Sequence, residues 1–174
     1  MKTDLGKKMK KIKMVIFDVD GVLTDGQIVL DHEGQEIKKF DVQDGFGIVL
    51  LRKVGIKTAI ISARQSPAVT VRAEDLKIDR IYQDAYPKLE AYRKLLEEFH
   101  LKDEEVCFIG DDLPDLAVLK QAGFSVAVKN AVKEIKGAAD YVTKNPGGAG
   151  AIREVIEMIL KGQGQWNNIL KMFS

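Results

Sequence analysis

Five aspartates fall where an apolar run of the chain gives way to a turn. Asp18 and Asp20 follow the run Ile12–Phe17, in Asp18-Val19-Asp20-Gly21-Val22. Residues i and i+2 of an extended chain point the same way. Both carboxylates therefore face one crevice if the chain stays extended there. Two such anions repel unless a cation joins them or one keeps its proton. The alternative is a solvated turn at a strand end. A second group follows Glu105–Ile109, in Gly110-Asp111-Asp112-Leu113-Pro114-Asp115. Pro114 suits the first turn of a helix. Asp112 is either that helix's N-cap or part of an acidic site. Asp18, Asp20, Asp111 and Asp112 together make an oxygen-rich set suited to Mg²⁺.

Two further motifs suit an anion. Ser62-Ala63-Arg64-Gln65-Ser66-Pro67 follows a third apolar run. A hydroxyl, backbone amides and an arginine at a helix start can hold phosphate. Ser66 before Pro67 reads as the N-cap of that helix. Lys88 follows Tyr86-Pro87 at another helix start. A cation there opposes the helix dipole, so a lysine reaching for phosphate and the aspartates is a reasonable reading.

The elements that must position these groups alternate. Short apolar runs at Ile12–Phe17, Lys57–Ile61, Ile78–Tyr82, Glu105–Ile109, Ser125–Val128 and Tyr141–Val142 read as strands. Helical patterns lie between and after them, at Gly45–Val54, Pro67–Leu76, Leu89–Phe99, Asp115–Gln121, Val132–Ala138 and Ala149–Leu160. Such alternation predicts an α/β fold: a Rossmann-like, doubly wound parallel sheet with helices on both faces. Ligands of such sheets bind at the carboxyl ends of the strands, where the aspartates fall. Gly26–Asp41 breaks the pattern and reads as an inserted β-hairpin turning at Asp31-His32-Glu33-Gly34. A lone hairpin is marginal in water, so it needs something to pack on. Gln163 lies in a Gly-Gln-Gly-Gln break, and the tail from Gly162 onward, with Trp166, Leu170 and Phe173, is either loose or docked on a neighbouring surface.

The chain of 174 residues suits one domain, residues 1–174. A net charge of +1, from 27 basic and 26 acidic residues, argues against a nucleic-acid surface. Six lysines crowd the first 13 residues, but no stretch approaches the roughly 18 apolar residues of a membrane span. The cytoplasm is the expected compartment. Cys107, the only cysteine, reads as a small buried hydrophobe. His32 and His100 have no partner at metal-ligand spacing, and Trp166 reads as an interface anchor.

Taken together, Asp18-x-Asp20-Gly21, Ser62-x-Arg64, Lys88 and Gly110-Asp111-Asp112-x-x-Asp115 resemble the haloacid dehalogenase superfamily of phosphatases over nearly the whole chain. The resemblance implies Asp18 as nucleophile and Asp20 as acid/base. It implies Mg²⁺ held by the Asp18 carboxylate, the Asp20 backbone carbonyl and the Asp111 carboxylate. Ser62 and Lys88 would bind the transferring phosphoryl group, and Asp112 and Asp115 would support the metal site. Asp20 and Gly45 are about 25 residues apart, too few for the large cap of most relatives.

The chain is similar, more narrowly, to the capless 3-deoxy-D-manno-octulosonate 8-phosphate phosphatases. The hairpin, Asp41-Val42-Gln43-Asp44-Gly45-Phe46-Gly47 and Asn145-Pro146-Gly147-Gly148-Ala149-Gly150 carry this likeness. It implies a homotetramer whose hairpins cover neighbouring active sites. It also implies a sugar acid phosphate held by Asp20, Asp41, Val42, Gln43, Asp44, Gly45, Arg64, Arg72 and Lys88. Basic residues expected in enterobacterial members are replaced here by Gln43 and Val49. Gly147 and Gly148 are either flap-like backbone near the substrate or a turn. Three other readings compete: a phosphatase of nine-carbon sialic acid-type 9-phosphates, a phosphate-accepting receiver domain, and a catalytically silent scaffold. The Asp18-x-Asp20 pair speaks against the receiver, and the intact Asp18, Asp20, Lys88 and Asp111 set against the silent scaffold.

Overall fold

Met14-Val15-Ile16-Phe17 is apolar without interruption, and all four residues are buried. A strand covered on both faces by helices needs such a run. The computed structural model describes residues 2–174, with side chains from Leu5 onward. In chain order the elements are α1 (Lys2–Lys11), β1 (Met14–Phe17), β2 (Val29–Leu30), β3 (Glu36–Ile37), α2 (Val42–Lys53), β4 (Lys57–Ile61), α3 (Pro67–Leu76) and β5 (Arg80–Tyr82). Then come α4 (Lys88–Phe99), β6 (Val106–Gly110), α5 (Leu116–Leu119), β7 (Phe124–Ala127), α6 (Lys133–Ala138), β8 (Tyr141–Val142), α7 (Ala151–Gly162) and α8 (Trp166–Lys171).

Among the described residues six strands form one parallel sheet, in the order β5-β4-β1-β6-β7-β8. The order runs one way from β1 to β5 and the other way from β6 to β8, so the switch point lies between β1 and β6. The α/β reading holds, and no cap domain interrupts the described residues. Phe17, Phe108, Phe124, Tyr92 and Met14 fill the core, and Cys107 is buried among them. No described helix is long and apolar enough to cross a membrane.

Four local features refine the sequence reading, each with a physical cause. The lysine-rich start forms α1 because Leu5 and Met9, four apart, pack on the core. Lysines in its last turn suit the helix dipole, and Gln163 Nε2 donates to Met9 O (3.0 Å) and Ile12 O (2.8 Å) at its end. Helix α2 starts at Val42 rather than Gly45, because Asp41 accepts from the Asp44 amide at 2.8 Å and caps it. The hairpin pairs only Val29 with Ile37 and Leu30 with Glu36. Its turn is held by Asp31 Oδ1, which accepts from the amides of Glu33 (2.9 Å) and Gln35 (2.8 Å). The tail forms α8; Ile169 is buried, and the Phe173 ring meets Phe46 edge-on at 5.5 Å.

Candidate active site

The two central strands end at aspartates. Phe17 of β1 stands beside Ile109 of β6, so Asp18 and Asp111 emerge together at the switch point. The Asp18 amide donates to Ile109 O at 3.0 Å. Beyond Asp18 the chain does not stay extended: the amides of Val22, Leu23 and Thr24 all turn back to Val19 O. Asp18 and Asp20 nevertheless line one crevice, because the turn folds over the strand end. Gly21 makes this possible. Its φ is +87°, and a Cβ there would stand 2.1 Å from Asp111 Oδ2.

The crevice, about 770 Å³ and open to solvent, is lined by Asp18, Asp20, Ser62, Arg64, Lys88, Asp111, Asp112 and Asp115. These eight were singled out from sequence, and the fold brings them together. Lys88 begins α4 and is buried; its Nζ lies 2.7 Å from Asp18 Oδ1 and 2.5 Å from Asp115 Oδ1. Asp115 is fully buried, and its Oδ2 accepts from the amides of Asp111 (2.9 Å) and Asp112 (3.4 Å). Asp115 thus fixes both Lys88 and the loop carrying Asp111. Asp112 is exposed and caps the 3-10 turn Leu113–Asp115 by accepting from the Leu113 amide at 2.8 Å. Ser62 begins the loop after β4 and is buried, with Oγ accepting from the Arg64 amide at 3.2 Å.

Carboxylate oxygens of Asp18, Asp111 and Asp115 come within 4.8 Å of one another. Burial, then the charge of Asp115, pushes Asp18 up to about 6, although Lys88 pulls it down. Burial, then Asp18 and Asp115, pushes Asp111 up to about 8. One lysine does not balance this much negative charge. A hard divalent cation with oxygen ligands would, so the residues present fit Mg²⁺.

Other expected site residues lie elsewhere. Asp41 and Gly45 line a separate apolar hollow with Arg72, Phe40 and Ile48. Arg72 pairs with Asp75 at 2.6 Å and lies over the Phe40 ring. Val42 is exposed at the first turn of α2, and Gln43 faces Asn145, Gly150 and Arg153. Asp44 is buried, and its carboxylate accepts from the amides of Gly150 (3.2 Å) and Arg153 (2.7 Å) at the start of α7. Ser66 takes the N-cap position of α3, but its hydroxyl makes no cap bond; its amide donates to Gln83 Oε1 at 2.7 Å.

Three residues of the site had no sequence signal. Lys38 Nζ donates to Asp20 Oδ1, and Glu36 Oε1 accepts from Lys38 Nζ (3.2 Å) and Arg64 Nη2 (2.8 Å). Asn130 Nδ2 donates to Gly21 O (2.8 Å) and its Oδ1 accepts from the Gly147 amide (2.7 Å). The Gly148 amide donates to Val22 O at 3.1 Å. Gly147 and Gly148 therefore form a turn that clamps the back of the Asp18–Asp20 loop.

Comparison with known proteins agrees with this geometry. The haloacid dehalogenase-like hydrolase family profile matches residues 56–156. The 3-deoxy-D-manno-octulosonate 8-phosphate phosphatase KdsC of Escherichia coli (strain K12) is 42% identical over 162 residues, 93% of this chain and 86% of that protein. The 3-deoxy-D-manno-octulosonate 8-phosphate phosphatase of Moraxella catarrhalis, solved in complex with magnesium ion, phosphate ion and KDO, is 41% identical; the match has a TM-score of 0.97 and covers 100% of both chains. The cobalt-bound deoxy-D-mannose-octulosonate 8-phosphate phosphatase of Haemophilus influenzae is 42% identical with a TM-score of 0.87, over 90% of this chain and 92% of that one.

Proposed function

Because this chain belongs to the haloacid dehalogenase-like hydrolases, we propose that it is a Mg²⁺-dependent phosphatase releasing phosphate from 3-deoxy-D-manno-octulosonate 8-phosphate, a step of lipopolysaccharide sugar synthesis. One observation carries the chemistry: Asp18 and Asp111 meet at the switch point, a buried lysine ties Asp18 to Asp115, and Asp20 lines the same crevice. The substrate rests on the likeness to the named relatives, spread over 93% of the chain or more in the E. coli and M. catarrhalis proteins.

Asp18 Oδ attacks phosphorus, and the bond from phosphorus to the sugar oxygen breaks. Asp20 gives that oxygen its proton, leaving an aspartyl phosphate on Asp18. Asp20 then takes a proton from water as the water attacks phosphorus. Phosphate leaves and both carboxylates return to their starting state. A carboxylate attacks a phosphate dianion only when cations offset the repulsion. Lys88 supplies one such charge at Asp18. The Asp18 and Asp111 carboxylates and the Asp20 carbonyl would hold Mg²⁺, which when bound would supply the remaining positive charge. Ser62 donates to a phosphoryl oxygen, and Asp112 and Asp115 hold the metal-side loop.

Arg64 on the crevice, with Arg72 and the Asp41–Gly45 segment in the hollow apart from it, receives the sugar acid; within that segment the Asp44 carboxylate serves the start of α7 rather than the sugar. Exposed Ile28, Val29, Leu30 and Ile37 on the hairpin support assembly into a homotetramer, with each hairpin covering a neighbouring crevice. The enzyme works in the cytoplasm. Phosphate release from a panel of eight- and nine-carbon sugar phosphates, with Mg²⁺, tests the assignment. Preference for the octulosonate 8-phosphate is expected. Best turnover of a nine-carbon 9-phosphate would replace the substrate and keep the chemistry.

A further inference from the structure

Lys38 directly follows the hairpin strand β3, yet its side chain is only 2% exposed. Burying an ammonium is costly unless carboxyl oxygens accept from it. Two do. Lys38 Nζ donates to Asp20 Oδ1 and, at 3.2 Å, to Glu36 Oε1. Arg64 closes the figure: its Nη2 donates to Glu36 Oε1 at 2.8 Å, and its Nε lies 3.8 Å from Asp20 Oδ2. Basic and acidic groups alternate around this ring of four. The hairpin supplies two members, the loop after β1 supplies Asp20, and the loop after β4 supplies Arg64.

The Asp20 carboxylate is a quarter exposed, and among the described residues it accepts its hydrogen bond from Lys38. The hairpin therefore sets its direction more than its own loop does. We propose that Lys38 is a positioning residue: acting through Asp20, it aims the proton donor at the leaving oxygen, so that hairpin docking and leaving-group protonation are coupled. This rests on the reading of Asp20 as acid/base given above. Lys38 itself touches no reacting atom. Glu36 orients Lys38 in turn, and so contributes at one remove. Proton transfer needs heavy atoms within about 2.6–3.2 Å, so a small swing of the Asp20 carboxylate matters.

The test compares leaving groups in the full-length enzyme with Mg²⁺. The octulosonate 8-phosphate releases the sugar as an alkoxide, which needs the proton. p-Nitrophenyl phosphate releases a stable phenolate, which does not. The ratio kcat/KM reports steps only through cleavage of the phosphorus–oxygen bond, so the later task of Asp20 as base drops out. Lys38→Met is expected to lower kcat/KM for the sugar phosphate by about tenfold to 10²-fold, as a misplaced catalytic group does, while p-nitrophenyl phosphate changes little. Lys38→Arg should restore most of the loss, and Glu36→Gln should repeat the pattern more weakly. Retained aryl phosphate turnover shows that the variant is folded; if Lys38→Met does not fold, Glu36→Gln decides. Equal loss on both substrates, or loss on neither, overturns the inference. Asp20→Asn is the reference. If it shows the leaving-group pattern and the hairpin variants do not, only the role of Lys38 falls. If Asp20→Asn shows none, the acid/base reading falls and this inference with it.

Discussion

Lys88 Nζ lies 2.7 Å from Asp18 Oδ1 and 2.5 Å from Asp115 Oδ1, so one ammonium ties the end of β1 to the turn after β6. Burial alone would lower the lysine's pKa, but the two carboxylates outweigh it and hold the pKa above its ordinary value. Lys88 therefore stays charged at neutral pH. Lys88→Met should cost about 3–5 kcal/mol in urea unfolding, because it strands buried carboxylates. Turnover per folded molecule should fall by about 10²-fold or more.

The crowded carboxylates make stability depend on pH. Unfolded, Asp18 and Asp111 titrate near 3.8; folded, they are pushed up to about 6 and about 8, first by burial. Between those values the folded state binds more protons than the unfolded one, so stability falls as pH rises. The metal-free protein should melt lower at about pH 8 than at about pH 5. Mg²⁺ prefers the ionised site and should raise Tm more at the higher pH. At about 100 times Kd the gain is about 2.7 kcal/mol, or about 5–10 °C. Thermal melts with and without Mg²⁺ at both pH values check the sign.

Asp44 distinguishes a cap from a substrate contact. Its carboxylate accepts from the amides of Gly150 and Arg153. Asp44→Ala should lower stability by about 1–3 kcal/mol by leaving those donors unpaired. KM should stay as it was in steady-state assays. A raised KM with unchanged stability would instead place Asp44 at the sugar.

Gly147 is a test of the clamp. A Cβ there would stand 1.8 Å from Gly21 O. Gly147→Ala should destabilise by about 1–3 kcal/mol and lower kcat, since relief of the clash moves the Asp18–Asp20 loop. Calorimetry and steady-state rates measure the two effects.

The centre of the site was legible because a parallel sheet leaves its strand ends as the place for chemistry, and Asp18, Ser62 and Asp111 each follow an apolar run. Lys88 was legible because a lysine at a helix start needs a reason. Lys38 was not, since it stands beside Lys39 in a polar hairpin and its partner Asp20 is 18 residues away. Asn130 reaches Gly21 across 109 residues, which no local pattern records. Asp41 and Asp44 make cap bonds here, and the sequence alone does not separate a helix cap from a substrate contact because both use the same carboxylate. The lysine run hid α1 because only Leu5 and Met9 mark its apolar side.

The central claim is that Asp18 takes the phosphoryl group. Rapid acid quench of the enzyme turning over the octulosonate 8-phosphate with Mg²⁺, followed by peptide mass spectrometry, tests it most directly. The account predicts one added phosphoryl group on the peptide containing Asp18, absent in Asp18→Asn along with phosphate release. Phosphate release that persists in Asp18→Asn would contradict it.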